Sequence, residues 1–256
     1  MKIEYIDYEP PSGIMNDRVV MVTGAGAGIG RAVAIALAKY GATVLLMGRT
    51  KAGLESVHDE ILSENAPRPA ILEADLERLT WDDYVAMAKM LEEEFGRLDG
   101  LLHNASILGD RSPIEHYDPM TWHRVMHINL GAQFLMTRAL LPVLKSASDP
   151  SLLLTSSSVG RTGKAYWGAY AVSKFGTEGL MQVLSDEMEA DQLRVNCINP
   201  GATKTAMRTA AFPGGDPKNP PPPETLVNNY LYLLGPASKG ISGRTFDAQG
   251  SSPADR

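Results

Sequence analysis

Two residues four apart, Tyr170 and Lys174, are the first pair in this sequence with the makings of a proton-transfer device. At i and i+4 they share one face of a helix. A free phenol has a pKa near 10 and exchanges protons poorly at neutral pH. A neighbouring ammonium favours the phenolate, and an opposite charge within about 4–6 Å typically lowers a pKa by about 1–3 units. Such a tyrosine protonates a carbonyl oxygen as hydride arrives, or deprotonates an alcohol in reverse, with no metal required. Thr155-Ser156-Ser157-Ser158 lies just upstream, and a serine hydroxyl from it would hydrogen-bond the same oxygen as charge develops there. Taken alone, the Tyr/Lys pair equally suits a solvated helix face.

A second chemical signal is Thr23-Gly24-Ala25-Gly26-Ala27-Gly28-Ile29-Gly30, after an apolar run and before a helix-like stretch. Glycines let the backbone turn tightly beside a pyrophosphate, and free N–H groups at a helix start favour its charge. The spacing is neither the generic G-x-G-x-x-G nor a P-loop, and by itself it also suits a structural turn. At the end of the next apolar run the chain reads Met47-Gly48-Arg49-Thr50, with no acid to bond a ribose 2′-hydroxyl. The Arg49 fork suits a 2′-phosphate, which selects NADP(H) over NAD(H); the same arginine also suits a solvated loop.

These signals need a scaffold. Apolar runs at Val19–Val22, Thr43–Met47, Leu101–His103, Leu152–Thr155 and Val195–Ile198 predict strands buried on both faces. Ile29–Tyr40, Leu54–Glu64, Trp81–Phe95, Thr121–Leu144 and Ala169–Ala190 have helical apolar spacing. The alternation predicts an α/β, three-layer, doubly wound parallel sheet of the Rossmann type in a single domain, with ligands beyond the carboxyl ends of the strands. The expected organisation is an N-terminal arm over 1–17, lying on the surface or reaching a neighbouring subunit, and a dinucleotide-binding and catalytic domain over 18–256.

Order along the chain adds what the isolated motifs lack. From Arg18 to about Gly250 the sequence resembles the short-chain dehydrogenase/reductase family, through TGAGAGIG at 23–30, HNAS at 103–106, Asn129 in HINLGAQF, TSSSVG at 155–160, YAVSK at 170–174 and NPGATKT at 199–205. The wording SSSVGR, WGAYAVSKF and RVNCINPGATKTAMR is similar to a bacterial branch of that family, the YciK-type oxidoreductases.

The resemblance implies a catalytic tetrad of Asn129, Ser157, Tyr170 and Lys174. Ser157 is preferred to Ser158 because it precedes the tyrosine by thirteen residues, the family interval, and aligns Gly160 with the family glycine. Asn129 would hold a water linking Lys174 to solvent. For the cofactor the resemblance implies Thr23, Gly24, Gly26, Ala27, Gly28, Ile29 and Gly30 at the phosphates and Asp75 with Leu76 at the adenine. Asn104 and Ala105 would pass beside the adenosine, and Pro200, Gly201, Thr203 and Thr205 would flank the nicotinamide. Tyr170 and Lys174 would also meet the nicotinamide ribose. Asp75 alternatively suits a helix cap. Two departures stand out: His103 and Ser106 replace the family's Asn and Gly, and the Pro213–Pro223 segment takes the place of a longer helical lid.

The leading function is reversible hydride transfer between NADP(H) and a small-molecule carbonyl or secondary alcohol. The alternatives are a 3-oxoacyl-thioester reductase and a dinucleotide-binding sensor or scaffold without turnover. Leu108–His116, Trp167, Met207 and Phe212 are expected at the pocket, and Arg161, Lys164 and Arg208 beside it suggest an anionic or carrier-linked substrate. A homotetramer or homodimer through the two long helices is implied by resemblance only.

Composition narrows the field. A chain of 256 residues, 44% hydrophobic, suffices for one full core. A net charge of −6 with no basic stripe argues against nucleic acid. No apolar run nears the roughly 18 residues of a membrane span, so a cytoplasmic protein is expected. The single cysteine, Cys197, reads as a buried strand residue. His123 and His127 have i, i+4 spacing, but Arg124 stands where a zinc protease carries its glutamate, so no metal site is expected. The run Pro220–Pro223 reads as a stiff rim on the cleft rather than a polyproline ligand.

Overall fold

The computed structural model describes residues 7–190, 192–215 and 219–250. The start of the expected arm, residues 1–6, and positions 216–218 of the proline-rich segment lie outside them.

Seven parallel strands form one sheet in a single Rossmann-type domain: β1 (Val19–Thr23), β2 (Thr43–Gly48), β3 (Ala70–Glu73), β4 (Gly100–His103), β5 (Ser151–Thr155), β6 (Arg194–Asn199) and β7 (Thr245–Asp247). Their spatial order is β3-β2-β1-β4-β5-β6-β7, so the winding reverses between β1 and β4. That reversal opens a crevice at the carboxyl ends of the strands. The helices are α1 (Gly28–Lys39), α2 (Lys51–Ser63), α3 (Trp81–Phe95), α4 (Pro119–Met126), α5 (Ala132–Lys145), α6 (Gly168–Glu187), α7 (Ala206–Ala211) and α8 (Val227–Leu234).

Alternate strand residues feed two cores. Val20, Val22, Val44 and Leu46 pack with α1, α2 and α8, which contribute Val33, Leu37, Leu54 and Leu231. Met21, Leu45, Leu152 and Val195 pack on the other face with Tyr84, Met136, Leu140 and Met181 from α3, α5 and α6. Burying each large aliphatic side chain contributes roughly 1.5–3 kcal/mol, which is why the runs are continuous rather than alternating.

The expected single helix over Thr121–Leu144 is interrupted. A π-helical turn at His127–Gly131 separates α4 from α5 and places Asn129 in the interior. Such insertions concentrate at functional positions. Residues 7–17 close the α1/α8 side: Met15 is fully buried, and the Tyr8 ring meets Tyr232 edge-on at 5.2 Å.

The strand ends away from the crevice carry an ionic cluster. Arg18 and Arg194 converge on Asp149, at 3.3 and 3.2 Å, and Arg97 pairs with Asp99 at 3.1 Å. Arg194 is completely buried and spends its remaining donors on the Leu233 and Gly235 carbonyls and the Ser238 hydroxyl. Asp99 accepts the Val19 amide at 2.9 Å, tying the starts of β4 and β1.

Among the described residues no helix is long and apolar enough to cross a membrane, and no cluster of three or more His, Cys, Asp or Glu is arranged for a metal ion.

Candidate active site

The glycine turn links β1 to α1 at the winding reversal. Gly24 and Gly28 have φ of +68° and +55°, a conformation that disfavours side chains. A Cβ at Gly30 would lie 2.2 Å from the Gly24 carbonyl oxygen and 2.6 Å from Asn104 Nδ2, so the turn closes on the strand-β4 loop only without one. The helix starts at Ala27 with no side-chain cap, leaving its first N–H groups for an anion. Thr23 and Asn104 act as a staple. Thr23 Oγ1 accepts the amides of Asn104 and Ala105, each at 3.0 Å, and Asn104 Nδ2 donates to the Thr23 carbonyl at 3.1 Å.

Two clefts meet over this turn and share Gly24, Ala27, Ala105 and Ser106 in their walls. One, about 380 Å³, runs past Thr23 and Gly26 to Met47, Arg49, Thr50, Asp75 and Leu76. The other, about 320 Å³, holds Gly28, Ile29, Asn104, Ser157, Tyr170, Pro200, Gly201, Thr203 and Thr205. Thus most of the sequence-predicted site residues face one continuous groove. Gly30, Asn129 and Lys174 line neither cleft; the first sets the packing of the turn, and the other two lie buried behind Tyr170.

The serine turn and α6 bring the reactive side chains together. Ser157 and Tyr170 line the same cleft, with Ser157 close enough to oppose the rise in the Tyr170 pKa, whereas Ser158 begins a 3₁₀ turn outside it. A Cβ at Gly160 would come within 2.9 Å of Lys174 Cβ, so glycine lets that turn seat directly on α6. Lys174 Nζ donates to the Thr155 carbonyl at 2.7 Å and stands 5.6 Å from the centre of the Tyr170 ring. Asn129 Oδ1 accepts the Ile107 amide at 2.8 Å, while its Nδ2 donates to the Ile107 carbonyl and to Ser173 Oγ. Ser173 in turn donates to the Tyr170 carbonyl at 2.7 Å, a connection the sequence reading missed because Ser173 is simply the third spacer of YAVSK.

Burial pushes the Tyr170 phenol up to about 12, with Ser157 beside it opposing the rise. Lys174 is dehydrated as well: burial pushes it down to about 8, against the opposing pull of Cys197 and Glu178. His103, at the family's asparagine position, is held neutral: burial first, and then Lys174, push it down to about 3. Its Nε2 pairs with Thr137 Oγ1 at 2.9 Å.

The outer wall is aromatic. Trp167 lies 5.8 Å from Tyr170 and 6.4 Å from Phe212, and the Arg111 guanidinium sits 4.5 Å over Trp167 and 5.1 Å over Phe212. Leu108, Met207 and Arg208 complete the mouth, with Arg208 3.9 Å over Phe212. The other two cations expected there are absent from the cleft wall: Arg161 forms a forked pair with Asp247, and Lys164 lines neither cleft. His123 is exposed on α4, beside the Arg124–Glu77 ion pair.

Comparison with known proteins matches this geometry. The family model described as short chain dehydrogenase covers residues 18–214. The chain is 48% identical over 242 residues to the oxidoreductase YciK of Escherichia coli strain K12, covering 94% of this chain and 96% of that protein. A short chain dehydrogenase from Shigella flexneri 2a strain 301, solved in complex with NADP, superimposes with a TM-score of 0.91 at 48% identity, covering 94% of this chain and 100% of that one. One from Escherichia coli CFT073, in complex with NADPH, gives the same TM-score, identity and coverage.

Proposed function

Because this chain belongs to the short-chain dehydrogenase family and is an oxidoreductase of it, we propose that it interconverts a small carbonyl compound and its alcohol with NADP(H), Tyr170 serving as the acid/base. The observation that carries this reading is that Ser157 and Tyr170 line one cleft, which continues into the glycine turn.

The residues present fit a dinucleotide phosphate. The turn is glycine where a Cβ would fill it, the α1 start is uncapped, and Arg49 has no hydrogen-bond or ion-pair partner among the described residues. The cofactor, when bound, supplies or accepts hydride. Everything else falls to the chain. A neutral Tyr170, the form its burial favours, holds the proton that a reduced carbonyl oxygen must receive, and the phenolate left behind takes the proton from an alcohol in the reverse direction. Ser157 hydrogen-bonds that oxygen as charge builds on it. Lys174 places its positive charge beneath the phenol and steadies the phenolate left after transfer. The two Asn129 Nδ2 donors are taken by Ile107 and Ser173, and we assign to Asn129 the placing of a water that links Lys174 to solvent. Trp167 and Met207 offer the substrate an apolar side. We also read the exposed face of α6, with Val172, Phe175 and Val183, as a contact between copies of this chain in a homodimer or homotetramer.

The test is NADPH oxidation against a panel of ketones, aldehydes and the activated dicarbonyl phenanthrenequinone. Tyr170→Phe is expected to lose about 10³-fold in kcat while NADPH affinity stays within about twofold. Turnover surviving in that variant defeats the assigned mechanism, and NADPH binding without turnover on any carbonyl returns the sensor reading.

A further inference from the structure

A second buried charge lies one helical turn beyond Lys174. Glu178 is 6% exposed, in a chain whose other helix glutamates mostly face water. Its two carboxylate oxygens are both engaged: Oε1 accepts the Ser156 hydroxyl and Oε2 accepts the Thr245 hydroxyl. One side chain of α6 therefore ties the turn after β5 to the edge strand β7. Ser156 is the residue immediately before Ser157, so this tie is made next to the serine that shares the cleft with Tyr170. A buried carboxylate is costly unless paired and hydrogen-bonded; the two hydroxyls supply the hydrogen bonds, and the opposite charge has to come from elsewhere.

The charges facing this interior are few. Lys174 lies on α6 itself, Cys197 on β6, His103 on β4, and Asp247 on β7, with Arg161 following β5. His103 is neutral and Arg161 is paired with Asp247. Cys197 would help Lys174 only as a thiolate, and burial, with Glu178 beside it, pushes that thiol well above its ordinary range. Glu178 is left as the anion able to balance the Lys174 ammonium, and α6 spacing puts the two on one face.

We propose that Glu178 is a positioning residue of this active site: its buried carboxylate seats the serine turn through Ser156 and supplies the counter-charge that keeps Lys174 protonated. This rests on the reading of Tyr170 and Lys174 as the catalytic pair.

The decisive measurement needs no turnover. In the full chain carrying ε-¹³C lysine, with the Lys174 resonance assigned by its loss in Lys174→Arg, the Lys174 titration midpoint is compared between wild type, Glu178→Gln and Glu178→Asp. Removing the charge is expected to lower the midpoint by about one pH unit, and the aspartate variant to restore at least half of that. With phenanthrenequinone and NADPH, Glu178→Gln is expected to lose about tenfold in kcat at pH 8 and less at pH 6, with KM within twofold. Coincident Lys174 titrations in wild type and Glu178→Gln would overturn the proposal, whatever the enzyme's substrate. Should Glu178→Gln not fold, δ-¹³C glutamate in the wild type decides: Glu178 ionised between pH 6 and 9 supports it, and a neutral carboxyl there overturns it.

Discussion

Removing the Arg49 guanidinium should convert a cofactor preference into near indifference. Arg49 stands at the end of β2, exposed, in the wall of the larger cleft, and no acid accompanies it on the Met47–Thr50 rim. A charged fork bonding a phosphate is worth about 1.5–3 kcal/mol when well formed. Water access at an exposed site puts the value at the lower end, about 1.5–2 kcal/mol. At about 1.4 kcal/mol per factor of ten, Arg49→Ala should weaken NADPH about 10- to 30-fold and leave NADH within about twofold. Nicotinamide fluorescence titrations of both cofactors, at low and high salt, provide the assay, and added salt should erase part of the wild-type advantage. An equal loss for both cofactors, or a loss under threefold for NADPH, would refute the assignment of Arg49 to the 2′-phosphate.

Stability should move the other way at Lys174. Its folded pKa lies near 8 against an ordinary 10.5, so the unfolded chain binds more protons between those values and stability rises with pH across that window. The shift corresponds to about 3 kcal/mol, of which about 1 is returned if the Thr155 carbonyl loses its donor. Lys174→Met leaves the buried Glu178 without its counter-charge, which offsets that relief at pH 7, so the expected signature is the slope: by urea unfolding the wild type should gain stability between pH 8 and 10.5 and the variant should gain about 2 kcal/mol less over that window, and equal slopes contradict this. At the exposed α6 face, Phe175→Asp should yield a smaller species by sedimentation velocity at unchanged helical content, and an unaltered sedimentation coefficient would remove that face from the assembly.

Five strands were legible because burial on both faces demands continuous apolar runs. β3 and β7 escaped because they are the sheet edges: β3 is only half-buried and β7 is three residues long, so neither needs such a run. The interruption of the helix at His127–Gly131 left no trace in apolar spacing, since the inserted residue keeps Ile128 and Asn129 facing inward. At the site, motif order located Tyr170, Ser157 and the glycine turn, whereas their electrostatics depended on depth. Nothing in YAVSK tells that Lys174 is 1% exposed, and so nothing tells that dehydration sets the charge balance there. Arg161 shows the converse: as a letter it is a free cation beside the cleft, and only the approach of β7 gives it Asp247.

The ionic knot of Arg18, Asp149 and Arg194 sits at the opposite margin of the sheet from the groove. Breaking such a knot by deleting one member typically costs about 3–5 kcal/mol. Because that anchorage is remote, the loops around Trp167, Met207 and Phe212 are free to diverge among relatives and acquire new substrates without loosening the frame. Variation in lifetime and variation in substrate range should then map to opposite poles of the molecule.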